Sequence, residues 1–359
     1  MHASATKVAT TLRADRLCGL LLGMAVGDAI GLPREGLSPR RAARMFRGPL
    51  RHRLVFGRGM ISDDTEHACM TAQALLAAPH DPDAFARSLA WRLRGWLLGL
   101  PAGIGLATLR AIVRLWVGFA AHRSGVCSAG NGPAMRAPIL GAVLGDDAGR
   151  LRRFVRASTR LTHTDPKAEH GAMLIALAAH HAATSPMGEI NASAFLDHAE
   201  AQAADDPELA WLLAVLREHL VRGATPREYA ASLGLQRGVS GYMYHTVPIA
   251  LFCWLRRPGD FERAVADAIL LGGDADTVGA IVGALAGAHV GAGGIPRPWI
   301  EGIMEFPRST AWIRRVGEAL SNENRATPLP LAWPVLPLRN LSFILIVLFH
   351  GFRRLLPPY

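Results

Sequence analysis

Four aspartates in two tight clusters carry the clearest chemical signal. They lie in Ser62-Asp63-Asp64-Thr65 and Asp274-Ala275-Asp276-Thr277, each flanked by hydroxyls and each just ahead of an apolar helical run. Neighbouring carboxylates repel, and a helix N-terminus offers only about half a positive charge to offset this. A bound cation would supply the rest. Carboxylate and hydroxyl oxygens are hard donors that suit Mg²⁺ or Mn²⁺, and neither cluster contains the Cys or His that zinc prefers. Each cluster alone also reads as an ordinary N-cap with acids in the first turn. Two clusters of the same chemistry favour one joint dinuclear site.

Helices must position these groups. Phe85, Leu89, Leu93, Trp96 and Leu100 predict one buried helical face, and Leu106, Leu109, Ile112, Val113, Trp116 and Val117 predict another after the Pro101–Gly105 break. The pattern recurs at 174–182, 209–216 and 264–271, while strand-like alternation is almost absent. An all-α domain is expected. Gly279, Gly283, Gly287 and Gly291 fall every fourth residue. Each costs a helix about 1 kcal/mol relative to alanine, so the stripe predicts close approach of another backbone. Prolines 328, 330, 334 and 337 predict an extended connector over 327–338, leading to a last apolar helix.

Composition narrows the classes. Half of the 359 residues are hydrophobic and 19% are charged, which excludes a disordered chain, a collagen-like fibre and a coiled coil. The formal charge of +10 invites a nucleic-acid reading, but only Lys7 and Lys167 among the 39 basic residues are lysines. That skew looks like GC-rich coding, and no nucleic-acid partner is expected. The run Arg34, Arg40, Arg41, Arg44, Arg47, Arg51, Arg53 and Arg58 reads as a solvated surface in preference to a polyanion or partner site. Cys18, Cys69, Cys127 and Cys253 form no C-x-x-C pair, and the N-terminus lacks a signal-peptide layout, so the expected location is cytoplasmic. The apolar stretches Val278–Ala292 and Leu341–Phe349 fall short of the roughly 18–20 residues a spanning helix needs, so no membrane span is expected. The second either lies flat on a membrane or closes the core, and the core reading is preferred.

Six segments, in order, resemble the ADP-ribosylglycohydrolases. They are Gly19–Gly31 with Glu35 four residues on, Ser62-Asp63-Asp64-Thr65, Gly130-Asn131-Gly132-Pro133-Ala134-Met135-Arg136, Thr162-His163-Thr164-Asp165, Ser240-Gly241-Tyr242 and Gly272-Gly273-Asp274-Ala275-Asp276-Thr277. The likeness runs from about residue 16 to about residue 294. It implies a compact orthogonal multi-helix bundle over 16–326, with an N-terminal extension at 1–15 and the connector and last helix at 327–359.

The resemblance further implies two Mg²⁺ or Mn²⁺ ions, one on Ser62, Asp63 and Asp64, the other on Asp274 and Thr277, with Asp276 bridging. Asp63 or Glu35 would handle the attacking water. Gly130, Asn131 and Gly132 would bring N–H groups to a diphosphate, His163 would reach the phosphate or ribose, and Tyr242 would stack on adenine; Met135 and Arg136 complete the expected substrate set. Some relatives place an aromatic residue before the Gly-Asn-Gly loop, where this chain has Ala129.

The implied activity is removal of ADP-ribose from a modified protein side chain, arginine by analogy, with ADP-ribose as product and an ADP-ribosyltransferase toxin as one conceivable source of the modification. Two other readings remain open: a silent ADP-ribose- or toxin-binding protein of the same fold, and a dinuclear phosphohydrolase.

Overall fold

The computed structural model describes residues 2–322 and 327–357. Its helices run, in chain order, α1 (His2–Gly31), α2 (Pro39–Met45), α3 (Asp63–Ala77), α4 (Pro82–Leu98), α5 (Leu106–Trp116) and α6 (Gly132–Leu144). Next come α7 (Ala148–Arg160), α8 (Pro166–Thr184), α9 (Ala192–Gln202), α10 (Pro207–Val221), α11 (Pro226–Ser232) and α12 (Met243–Leu255). The last are α13 (Phe261–Ile269), α14 (Ala275–Val290), α15 (Arg297–Glu301), α16 (Thr310–Ser321) and α17 (Leu336–Arg353). No strand forms among the described residues; loops meet only through isolated bridges. The all-α expectation holds.

Polar residues set the helix starts. Asp81 accepts hydrogen bonds from the N–H groups of Asp83 and Ala84 at 2.8 and 3.1 Å, and Thr225 and Glu228 form a reciprocal capping box at α11.

At the centre α1 packs along α14, backbone against backbone. A Cβ added at Gly19, Gly23 or Gly27 would overlap the carbonyl oxygen of Gly287, Gly283 or Gly279, and one at Gly31 would overlap that of Ala275. The predicted glycine stripe is therefore half of a seam whose other half is the first sequence motif. Ordinary helix pairs stand about 8–10 Å apart, and only residues without side chains at the contact permit closer approach. Gly291 continues this seam, its carbonyl carbon 2.6 Å from where a Cβ on Gly19 would lie. It ends α14 at φ 72°, next to Asp15, whose Oδ1 accepts from Ala292 N–H at 3.2 Å.

α1 crosses residues 15–16 without a break. Two expectations shift. Leu100 lies beyond the end of α4 and is exposed, and α5 turns Thr108, Ala111, Ile112 and Leu115 inward while Leu106, Val113, Trp116 and Val117 face out. Its many apolar residues fit more than one 3.6-residue register, and packing chose among them. The connector is shorter than expected: a 3₁₀ turn at Trp333–Val335 leads into α17 at Leu336, because Pro334 and Pro337 sit in first turns where no N–H is missed.

Two stretches are long and apolar enough to cross a membrane by length and composition alone, Thr10–Arg34 and Trp333–Arg353. The apolar part of the first is buried as the central helix, while Leu12 near its start is exposed. The second is 22% buried: its inner face covers the body through Leu336 and Phe343, and its outer face stays exposed.

Candidate active-site cleft

The first acidic cluster is built on Asp28, which is fully buried at the inner end of α1. Its carboxylate accepts from the N–H groups of Ser62 and Thr65 at 2.9 and 3.2 Å and from Thr65 Oγ1 at 2.5 Å, clamping the first turn of α3. Asp28 thus serves the helix turn. Ser62 is a true N-cap, its Oγ accepting from Asp64 N–H at 3.3 Å.

The second cluster behaves differently. Asp274 stands at the N-cap of α14 yet makes no capping bond. Its Oδ2 instead accepts from Asn131 Nδ2 at 2.6 Å, and the same amide donates to Thr246 Oγ1 at 2.9 Å. The N-cap reading therefore describes Ser62 and fails for Asp274.

Folding joins the clusters: Thr277 Oγ1 donates to Asp64 Oδ2 at 3.1 Å. Asp64 Oδ1 and Asp276 Oδ1 are buried without any hydrogen-bond partner. Burial, then the charges of Asp28 and Glu35, push Asp63 well above the usual carboxylate range. Asp64 rises through burial and Asp63, and Asp276 through burial, Glu35 and Asp274. Burial and Asp274 also raise Glu35, while Arg354 works against this. Hard oxygens, two of them orphaned, in a pocket of crowded negative charge fit a divalent cation. Among the described residues no three histidine, cysteine or acidic side chains are closed into a ready coordination shell. A cation would have to draw these oxygens together.

The cleft beside these groups holds about 570 Å³. Glu35, Asp63, Asp274, Asp276 and Thr277 line it, whereas Ser62 and Asp64 do not. Of the expected substrate set, Gly130, Asn131, Gly132, Met135 and His163 also form part of its wall. Loop glycines there make room for an imidazole: a Cβ at Gly130 would lie 3.0 Å from His163 Nε2, and one at Gly132 3.2 Å from Cε1. Gly130 N–H donates to Ser128 Oγ and Asn131 N–H to Gly241 O, which leaves the Gly132 N–H at the first turn of α6 for a ligand. His163 is buried, and desolvation with the Arg136 charge pushes it down to about 3, so its ring is neutral.

Two expected substrate residues do not line the cleft. Arg136 is fully buried beneath it, bound to Ser158, Thr162 and His67. One step along α6 from Met135 rotates its side chain about 100° away, toward the protein interior. Tyr242 lies past the rim, where its hydroxyl meets Lys167 at 2.9 Å and Glu208 at 3.1 Å.

A buried network went unread in the sequence. Glu66, one turn into α3, pairs with Arg308 at 2.6 Å and Arg339 at 3.4 Å, and Arg339 pairs with Glu305 at 2.6 Å. A glutamate two residues ahead of the mostly apolar run 68–76 was the one local hint, since a buried acid demands a cation.

A family model described as ADP-ribosylglycohydrolase matches residues 9–329. The chain belongs to the ADP-ribosylglycohydrolase family. It is 33% identical to an uncharacterized Archaeoglobus fulgidus protein over 81% of this chain and 92% of that one. It is 28% identical to the ADP-ribosyl-[dinitrogen reductase] glycohydrolase of Rhodospirillum rubrum, over 85% and 95%. Zebrafish (Danio rerio) ADP-ribosylhydrolase ARH3 is likewise 28% identical, over 85% and 91%. A solved ADP-ribosylglycohydrolase-related protein complex superposes with a TM-score of 0.65 at 29% identity, covering 87% of this chain and 98% of that one. Membership in this glycohydrolase family agrees with the helical bundle and with activity on ADP-ribosylated substrates.

Proposed function

We propose that the chain hydrolyses the bond between C1 of ADP-ribose and a protein side chain, arginine being the preferred acceptor, in a metal-dependent reaction. The observation that carries this reading is the joining of the two acidic clusters through Thr277 and Asp64, with Asp64 Oδ1 and Asp276 Oδ1 left unpartnered beside the cleft. Ser62, Asp63, Asp64, Asp274, Asp276 and Thr277 are the residues that would hold two Mg²⁺ or Mn²⁺ ions. Bound there, the ions would supply positive charge where the ribose hydroxyls and the attacking water lie.

The chain's own groups do the rest. Asn131 fixes the Asp274 carboxylate by a 2.6 Å hydrogen bond, so the wall does not collapse into the cleft. The Gly132 N–H and the α6 N-terminus favour a phosphate. Neutral His163 closes that wall as a hydrogen-bonding partner without adding charge. Asp63 or Glu35, both at the cleft surface with raised proton affinity, takes the proton from water as it adds to C1 through an oxocarbenium-like transition state, and the acceptor nitrogen leaves with the bonding pair.

The test is ADP-ribose release from arginine-, serine- and acetyl-linked substrates with Mg²⁺, Mn²⁺ or a chelator. Release from the arginine-linked substrate, lost with chelator and in Asp276→Ala, is expected. Absence of release under every condition would mark a binding protein instead. A second readout is independent of turnover: Asp276→Asn removes one repelling charge, so the chelated variant melts higher by roughly 1 kcal/mol of stability, and Mg²⁺ no longer shifts it.

A further inference from the structure

We propose that α17, with the turn around Phe56 and the arginine segment beside it, docks this protein on an anionic phospholipid bilayer. The helix seats Leu336 and Phe343 on the body and anchors polar side chains there too: Arg339 pairs with Glu305, Asn340 Nδ2 donates to Gly99 O at 2.6 Å, and His350 Nε2 lies 2.6 Å from Leu54 O. Its outer face carries Leu338, Leu341, Leu345, Leu348, Phe349 and Phe352, each between 51% and 68% exposed, and Leu355 and Leu356 prolong the stripe. Water is a poor partner for so continuous an apolar face.

Flanking turns extend the surface. Among the described residues, the non-glycine residues with positive φ are Phe56 (46°) and Leu100 (57°). Both are exposed, Phe56 completely, and both adjoin α17: Leu54 packs with Phe343, and Asn340 binds the carbonyl just before Leu100. Strained backbone that holds an apolar side chain out in water points to a partner that receives it.

Charge selects the partner. From Trp333 to the C-terminus there is no acidic residue, and none from Gly36 to Ser62. Arg40, Arg47, Arg51, Arg58 and Arg353 are exposed, and Arg41 donates to the Arg354 carbonyl, tying the two basic segments together. Apolar side chains ringed by arginines match the interface of an anionic membrane. A second copy would set the same positive rim against itself.

The helix lies on the bilayer and does not cross it. Crossing would tear Arg339 from Glu66 and Glu305, leaving buried acids without a cation. Its ends are also fastened next to both rims of the cleft, at Gly99 and, through Arg354 Nη2 at 3.2 Å, at Pro33 O. Docking therefore holds the cleft beside the membrane surface.

Vesicle flotation of the full chain tests this, using phosphatidylcholine alone and phosphatidylcholine mixed with phosphatidylglycerol, alongside light scattering without lipid. The expected result is a lipid-free monomer that floats with the mixed vesicles, less so at high salt, and does not float with phosphatidylcholine alone. Leu345→Glu with Phe349→Glu and Phe352→Glu should cut partitioning about tenfold or more at an unchanged melting temperature. Arg40→Glu with Arg47→Glu and Arg51→Glu should weaken it without touching α17. No flotation, flotation indifferent to both variants, or an oligomer that the leucine-phenylalanine variant dissolves would each overturn the proposal.

Discussion

Among the described residues, α1 and α17 are the two helices long and apolar enough to cross a membrane, and they meet opposite fates. The apolar stretch of α1 is wholly buried, whereas that of α17 is 22% buried. Hydrophobicity does not separate them; the distribution of small and polar residues does. α1 presents glycine every fourth residue and can be sunk against α14. The one glycine of α17, Gly351, meets nothing within 4 Å, and Arg339, Asn340 and His350 bond to the body. Burial of a helix needs a surface that fits, not only one that is apolar.

The severest way to break this comparison is to put a side chain into the seam. Gly283→Val would drive a Cβ into the Gly23 carbonyl and should cost about 4 kcal/mol or more, read as loss of soluble protein or of a cooperative melt. A Gly283→Val protein that melts like the parent would show that the helices do not need their close approach. Arg339→Met attacks the other helix through its anchor. It leaves Glu305 and Glu66 short of a buried cation and should cost about 3–5 kcal/mol in thermal or urea unfolding, with proteolysis beginning at α17.

A matched pair sharpens the contrast. Leu285→Ala in α14 should cost about 2–5 kcal/mol, while Leu345→Ala on the outer face of α17 should stay within about 0.5 kcal/mol. Equal losses would mean that the outer face of α17 is covered in solution. The smallest effect has the opposite sign. Phe56→Gly relieves a left-handed backbone and should raise stability by roughly 1 kcal/mol, while vesicle binding falls.

What the sequence disclosed follows the range of the forces involved. Gly279, Gly283 and Gly287 advertise a close approach locally, but their partners at Gly19, Gly23 and Gly27 lie some 260 residues away, and no spacing rule pairs them. The helix starts at Ser62 and Asp274 were legible; that the first caps and the second turns to Asn131 was not, because Asn131 arrives from another loop. Met135 and Arg136 shared a motif and were read together, yet neighbouring helical positions face different ways, and one meets the cleft while the other meets Ser158. The outward turn of α17 escaped for a related reason. Its polar residues looked too few to define a face until Glu305, Gly99 and Leu54 supplied their partners.

The glycine seam also dictates a timetable for synthesis. It ties the first helix to the fourteenth, so a ribosome must release some four-fifths of the polypeptide before α1 meets the strip that shields it, and until then the emerging rod is a client for chaperones. The acidic groups at 62–64 wait equally long for those at 274–277. A nascent chain therefore carries only half a metal trap, and an ion cannot lock it into shape prematurely.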